Sequence, residues 1–259
     1  MKVLPYNGVI GGERRPLYFL AAYGLPVVDA RIISFGACNF ACPYCKRDGA
    51  FRGENGSIVS SVEASMEDIL VVCDDAIARG QVVRLSGGDP VMFQRESLQI
   101  AEYCASKGVK ISMAHNGSSP EFARRMARYL SSAAIDLKGL PHDLGKVAGI
   151  GHHLGEKMFW RSLEVQRVLS EAGVLVDVRT PIFGTTTLDD MLQMAEYVVQ
   201  NDVFWTWRMY KPVTGCDWIP PRKDNVIWMI GEVKKAFPGL KIGLRAKWEP
   251  SGFIIFQEV

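Results

Sequence analysis

Three cysteines stand within eight positions, in Cys38-Asn-Phe-Ala-Cys42-Pro-Tyr-Cys45. Thiolates are ligands for zinc and for iron–sulfur clusters. The group directly follows a β-branched run, Val27 to Phe35, with Gly36 before it and Gly49, Gly53 and Gly56 after it. This is the composition of a loop, which can wrap a metal as a strand cannot. A structural zinc takes four nitrogen or sulfur ligands, usually from two paired knuckles, and no second CxxC or HxxxH completes such a set here. Three thiolates with the fourth place empty fit a cubane [4Fe–4S] cluster, in which one iron is left for another ligand. Cys73, Cys104 and Cys216 lie far from the group and from one another. That is too sparse for a disulfide scaffold, and a metal in a reducing, cytoplasmic compartment is expected.

Other polar residues fall where strands should end. Arg84-Leu-Ser-Gly-Gly-Asp-Pro90 closes a second apolar run; Gly87 and Gly88 there read as a turn or as backbone that a ligand can approach closely. His115-Asn116-Gly117 reads as a simple Asn-Gly turn or as a ligand contact. Asp136-Leu-Lys138 places two charges on one side of a strand end, facing a cavity. Arg179 ends the fifth run, in Val-Arg-Thr-Pro-Ile-Phe-Gly184. A βα barrel builds its site at such C-terminal strand ends.

The elements that would position these residues are short β-branched runs alternating with amphipathic segments, which argues for βα units and parallel strands. Strands are expected at Val27 to Phe35, Val82 to Leu85, Val109 to Met113, Ala134 to Leu137, Val174 to Thr180 and Phe204 to Tyr210. Ser65-Met-Glu-Asp68 resembles a capping box, Ser119-Pro120 pairs an N-cap with proline at the first helical position, and Thr187 precedes a further helix. Gly80, Gly108 and Gly173 read as helix stops. Six such units suffice for an α/β fold curled into an open, partial (β/α)6 barrel, two units short of a closed one. The expected division is an N-terminal extension 1–26, the barrel 27–211, and a C-terminal extension 212–259 with a helix at Asn225 to Phe237 and a strand pair between Gly243 and Phe256.

The chain has 259 residues, 48% hydrophobic and 22% charged, the balance of one domain with a full core rather than a disordered or fibrous chain. Its net charge of +2 disfavours a nucleic-acid partner gripped through phosphates. Leu17 to Val28, interrupted by Gly24 and Pro26, is too short to span a bilayer, so no membrane partner is expected and a signal sequence is disfavoured.

The CxxxCxΦC motif after the first strand, with Tyr44 as the aromatic residue, resembles the signature of the radical SAM superfamily. The resemblance implies a partial (β/α)6 barrel whose [4Fe–4S] cluster is held by Cys38, Cys42 and Cys45. The unique iron would be chelated by S-adenosylmethionine, which one electron splits to methionine and a 5′-deoxyadenosyl radical. Gly87, Gly88 and Asp89 resemble the GGEP element that contacts the methionine amino group, with Asp89 in place of the usual Glu. Asn116 matches a position near the ribose, and Tyr44 would lie beside the adenine. The order of these elements with Asp136, Lys138 and Arg179, over roughly residues 30 to 185, is similar to that in glycyl-radical-enzyme activating enzymes. In that family the matching residues line the SAM site, and the Asp can help bind a monovalent cation. One departure stands out: activases carry a histidine after the sixth strand, where this chain has Trp207-Arg-Met-Tyr-Lys-Pro212.

The resemblance implies an oxygen-sensitive enzyme served by a reductant such as flavodoxin or ferredoxin. Two targets for the radical stay open, a glycine backbone of a partner protein and a small metabolite in a biosynthetic pathway, with RNA modification behind both. A noncatalytic iron–sulfur or zinc protein is the reading from outside enzymology. Cys73 and Cys104 are expected to be core residues, and Cys216 a bystander or a residue at the barrel mouth. His142, His152 and His153 are expected in a solvated loop. Trp205, Trp207, Trp218, Trp228 and Trp248 are expected to close the barrel's open edge, with one or two free to stack on substrate.

Overall fold

Alternation of apolar and polar residues along consecutive parallel strands gives this protein two unlike faces, one packed under the helices and the other plugged by apolar residues at one end only. The computed structural model describes residues 3–6, 15–45, 51–52, 58–59, 64–246 and 248–256. In chain order these form β1 (Val3–Tyr6), β2 (Arg15–Pro16), β3 (Asp29–Phe35), β4 (Phe51–Arg52), β5 (Ile58–Val59), α1 (Met66–Ala78), β6 (Val82–Gly87), α2 (Gln94–Ser106), β7 (Ile111–His115), α3 (Pro120–Ala127) and β8 (Leu130–Asp136). They continue with α4 (Pro141–Ala148), α5 (His152–Glu171), β9 (Leu175–Ile182), α6 (Leu188–Val198), β10 (Phe204–Met209), α7 (Lys223–Ala236), β11 (Lys241–Arg245) and β12 (Phe253–Phe256). Gly49, Gly53 and Gly56 lie outside the described residues.

The main sheet runs β1-β3-β6-β7-β8-β9-β10-β11-β12, with β2 also paired to β3. From β3 to β11 every neighbour is parallel, while β1, β2 and β12 pair antiparallel at the two ends. The sheet is an open, curled α/β barrel, as expected, but with one unit more. The C-terminal helix and strand pair do not merely pack on six units: α7 leads into β11, which lies parallel to β10 from Phe204↔Lys241 to Arg208↔Arg245.

Outward-pointing residues such as Ile33, Leu85, Met113, Ile135, Val178, Trp205 and Trp207 join the helices in the main core, where Cys73 and Cys104 are fully buried. Inward-pointing Ala30 and Phe204 meet Leu17, Phe19 and Leu20, from the 3-10 turn Tyr18–Tyr23, in a separate apolar cluster. That cluster plugs the barrel at the N-terminal ends of its strands, leaving the other end for polar residues.

The helix signals hold: Ser65 and Thr187 make full capping boxes, and Ser119 accepts from Phe122 N above Pro120. Three details differ. The third strand is displaced to Ile111–His115, because Val109 and Lys110 still belong to the turn after Gly108. The fourth starts at Leu130, earlier than expected, because Ser132 faces inward and bonds Ser112 Oγ at 3.0 Å. His142, His152 and His153 are in helices, not a loop: Pro141 opens α4 and left-handed Gly149 ends it, while His152 and His153 open α5. All three histidines are exposed. Among the tryptophans, Trp205 and Trp207 are core residues, whereas Trp228 and Trp248 face solvent. Among the described residues no helix is long and apolar enough to cross a membrane.

Candidate active site

The cysteine loop leaves β3 at Phe35 and is clamped from two sides. On one side Gly88 N donates to Phe35 O and Asp89 N to Ala37 O, each at 2.7 Å. On the other Ala41 N donates to Ala148 O at 2.9 Å, at the end of α4. A Cβ on Gly88 would lie 2.1 Å from Ala37 O, and one on Gly149 2.2 Å from Ala41 O. Both glycines therefore let neighbouring backbone press on the cysteine loop, a different reason for Gly88 than close approach to a ligand.

Within the loop Cys45 N donates to Cys42 O at 2.9 Å, and Cys38 Sγ accepts from Phe40 N at 3.4 Å and from Asn116 Nδ2 at 3.6 Å. Cys38 and Cys45 are exposed and Cys42 is half-buried. Burial pushes the Cys38 thiol up to about 11 and raises that of Cys42, against which the Lys138 ammonium works. Binding a metal would displace those protons, since thiolate is the ligating form. Among the described residues no three His, Cys, Asp or Glu side chains are close enough to share one ion. A cubane makes no such demand, because it spreads its thiolates over separate irons. A thiol-only donor set on a braced loop, with N–H donors already aimed at Cys38 Sγ, fits such a cluster.

Asp89 is 1% exposed and its carboxylate is fully engaged. Oδ1 accepts from Val91 N at 2.9 Å and meets His115 Nδ1 at 2.8 Å, while Oδ2 accepts from Asn116 N at 2.7 Å. His115 Nε2 lies 3.3 Å from Ser119 N, so the pair ties the ends of β6 and β7 to the start of α3. Asn116 then turns its amide toward the cysteine loop, donating to Asn39 Oδ1 at 2.7 Å as well as to Cys38.

Beyond β8 the predicted ion pair is present: Lys138 Nζ is 2.6 Å from Asp136 Oδ2 and 3.4 Å from the Tyr44 hydroxyl. Burial works against the Asp136 charge, but the ammonium overrides it and holds the carboxyl below the usual carboxylate range. Burial likewise opposes the Lys138 charge, and Asp136 more than compensates, raising its pKa. The Tyr44 ring packs on Phe183, Trp218 and Tyr210, with centroids 5.2, 5.8 and 6.4 Å away. Cys216 lies at the edge of this aromatic nest. Beside Lys138, outside the barrel wall, a cavity of about 560 Å³ opens among Asp143, Thr180, Asp190 and Trp218.

Arg179 and Asp136 are register partners on β9 and β8. The Arg179 guanidinium is 2.7 Å from Asp177 Oδ2, and the Asp177 carboxylate also accepts from the Thr206 hydroxyl. One position further along β10, past Trp207, stands Arg208, which sequence reasoning passed over. The signal was in the alternation: Trp205 and Trp207 point out to the helices, so Thr206 and Arg208 must point inward. Asp177 and Asn39 were likewise missed. Cys38, Cys42, Cys45, Gly88, Asp89 and Asn116 thus form one connected group, with Tyr44, Asp136, Lys138 and Arg179 as a second beside Cys42.

Comparison with known proteins gives a consistent answer. The family model described as Radical SAM superfamily matches residues 32–198. A protein of Methanocaldococcus jannaschii named as a glycyl-radical enzyme activating enzyme is 23% identical over 84% of this chain and 90% of its own length. A protein of Methanothermobacter marburgensis named as a GTP 3′,8-cyclase is 38% identical over 95 residues, 36% of this chain but only 28% of that one. A radical SAM methyltransferase from Sphaerobacter thermophilus has the same fold, with a TM-score of 0.62 at 12% identity over 84% of this chain and 66% of that one. With the family model covering the cysteine loop and the strand ends around it, this chain belongs to the radical SAM superfamily, whose members are enzymes that use a [4Fe–4S] cluster and S-adenosylmethionine.

Proposed function

We propose that this enzyme cleaves S-adenosylmethionine reductively and takes a hydrogen atom from a small polar molecule held in the barrel lumen. The braced cysteine loop is the observation that carries the reading. Cys38, Cys42 and Cys45 would hold the [4Fe–4S] cluster, which, reduced by a donor such as flavodoxin or ferredoxin, would supply the one electron that reductive cleavage of S-adenosylmethionine needs. Asn116 steadies the Cys38 sulfur by its amide. Lys138 offers its ammonium to a carboxylate and, with Asp136, an opposed charge for an amino group, while Arg179 lies one strand away. Tyr44, its ring fixed by Phe183 and Trp218, would hold the loop backbone where the adenine is expected. Gly87 and Gly88 offer only backbone groups, and the engaged Asp89 acts by holding Asn116.

The charged lumen of Asp136, Asp177, Arg179 and Arg208 favours a small polar substrate. A second reading, abstraction from a glycine of a partner protein, is supported by the near full-length similarity to the archaeal activating enzyme. The test is 5′-deoxyadenosine formation by anaerobically reconstituted protein with reductant. Cys42→Ala should abolish both cluster absorbance and product, and retention of either would overturn the ligand assignment. Host extract split at a few kilodaltons then separates the targets: stimulation by the small fraction alone supports the lumen reading, and by the large fraction alone the glycine reading.

A further inference from the structure

Asn116 holds its side-chain amide in one orientation, and that orientation points an N–H at the Cys38 sulfur. Gly117, at φ +80°, turns the chain after β7 so that Ser118 N returns to Asn116 Oδ1 at 3.1 Å. A backbone N–H can only donate, so the amide atom facing it is the oxygen and the other is the NH2 group. Asn116 Nδ2 donates to Asn39 Oδ1 at 2.7 Å, and Asn39 Nδ2 donates to Ser118 Oγ at 2.9 Å. The three residues thus close a ring of hydrogen bonds that joins the cysteine loop to the end of β7. Of the two amide hydrogens Asn39 takes one, and the second faces Cys38 Sγ, 3.6 Å away.

The Asn116 backbone is pinned as firmly as its side chain. Its N–H goes to Asp89 Oδ2 at 2.7 Å, and Oδ1 of the same carboxylate meets His115 Nδ1 at 2.8 Å. Because His115 Nε2 receives Ser119 N, the ring proton sits on Nδ1 and is given to Asp89. Asp89, His115, Asn116 and Ser118 are all buried, so water competes little for these groups. Both amide hydrogens of Asn116 are spent inside the protein, which leaves no donor for the ribose that its family position suggests. Reduction adds negative charge to a cluster and its sulfurs, so a donor held on a ligating sulfur favours the reduced form and raises the potential. We propose that Asn116 is a positioning residue that sets the reduction potential of the [4Fe–4S] cluster through its N–H on Cys38, held ready by the Asn39–Ser118 ring and the Asp89–His115 clasp. The inference rests on the reading of Cys38 as a cluster ligand. It assigns Asn116 to how readily the enzyme accepts its electron rather than to holding S-adenosylmethionine.

Anaerobically reconstituted protein is titrated potentiometrically, with the reduced cluster counted by electron paramagnetic resonance, and S-adenosylmethionine binding is measured separately on the oxidised protein. Asn116→Leu keeps the size of the side chain and removes the donor. Its one-electron reduction constant should fall about tenfold, a midpoint potential lower by about 59 mV. Asn39→Ala opens the ring from its exposed side and should move the constant in the same direction by about threefold, with an unchanged thermal midpoint. Affinity for S-adenosylmethionine should stay within about threefold in both variants. Unchanged potentials in both overturn the proposal. So does a tenfold weaker binding of S-adenosylmethionine by Asn116→Leu at an unchanged potential, which assigns the amide to the ribose. Where Asn116→Leu takes up no cluster, Asn39→Ala decides, because that change leaves Asn116 in place. A wild type that takes up no cluster overturns this inference together with the cysteine-ligand reading, whereas a cluster of unshifted potential overturns this one alone.

Discussion

Gly149 and Ala41 meet backbone to backbone: the α4 terminus delivers a hydrogen bond acceptor, Ala148 O, to Ala41 N, and a Cβ on Gly149 would sit 2.2 Å from Ala41 O. Gly149 also holds φ at +66°, a conformation that costs an L side chain roughly 1–2 kcal/mol. Gly149→Ala should therefore lower unfolding free energy by more than that strain alone, about 2–3 kcal/mol with the forced displacement. Because the atom in the way belongs to the cysteine loop, cluster content after reconstitution should fall along with the urea midpoint. A variant with full cluster content and unchanged midpoint would show that the α4 contact does not brace the loop.

Asp89 gives a prediction that runs against family habit. The GGEP element that this stretch resembles has Glu there, yet the Asp89 carboxylate already receives Val91 N, Asn116 N and His115 within a site that is 1% exposed. Asp89→Glu adds a methylene to a filled pocket, costing about 1–3 kcal/mol, and Asp89→Asn turns an amide donor toward donors, for a loss of about 1–3 kcal/mol. Both variants should unfold at lower denaturant. The family-like Glu restoring or raising stability would refute the inward placement.

The Asp136–Lys138 pair sets a pH dependence whose sign follows from the folded-state shifts. Asp136 is held below its ordinary value near 3.9, so its contribution is complete above about pH 4 and is lost as pH falls through the lower, folded value. Lys138 is raised, so its contribution is complete below its ordinary value near 10.4 and is lost only as pH rises through the higher, folded one. Lys138→Met strands the carboxylate. Its side chain keeps 30% exposure, so the loss at pH 7 should be about 1–3 kcal/mol rather than that of a fully buried pair. The stability gap between wild type and Lys138→Met should be full near neutral pH and close as pH falls below about 4, where the carboxyl is protonated in both, as recorded by denaturation at a series of pH values; a gap that stays constant through the acid range would show that the pair is not coupled.

How much of this was legible in the residues depends on how local each cause is. The cysteine loop, the capping boxes at Ser65 and Thr187 and the ion pair at Asp136 and Lys138 are set by spacing within a few residues, and the structure has all of them. The α4–α5 pair was hidden because Gly145, Gly149, Gly151 and Gly155 read as loop, whereas Gly145 and Gly155 let two helices touch backbone to backbone. The parallel pairing of β11 with β10 is a long-range event with no local mark. The inward turn of Asp89 is set by His115 and Asn116, partners 26 and 27 positions away. Arg208 was within reach, since its inward phase follows from the outward Trp205 and Trp207 on the same strand.

Trp218 separates loop bracing from global stability. Its ring lies 4.7 Å from Phe183 and 5.8 Å from Tyr44, in a small cluster detached from the main core and only partly shielded from water. Removing it takes away one wall of the Tyr44 nest and leaves the sheet and helices untouched. Trp218→Ala should thus cost less than the roughly 3–5 kcal/mol of a fully buried aromatic, with a thermal midpoint only slightly lowered. The residue between Cys42 and Cys45 that the nest immobilises would gain freedom, so a cluster in the variant should be lost to a chelator several-fold faster than in the wild type. Unchanged release kinetics alongside a markedly lower midpoint would reverse the assignment, making Trp218 a contributor to the global core with no hold on the cysteine loop.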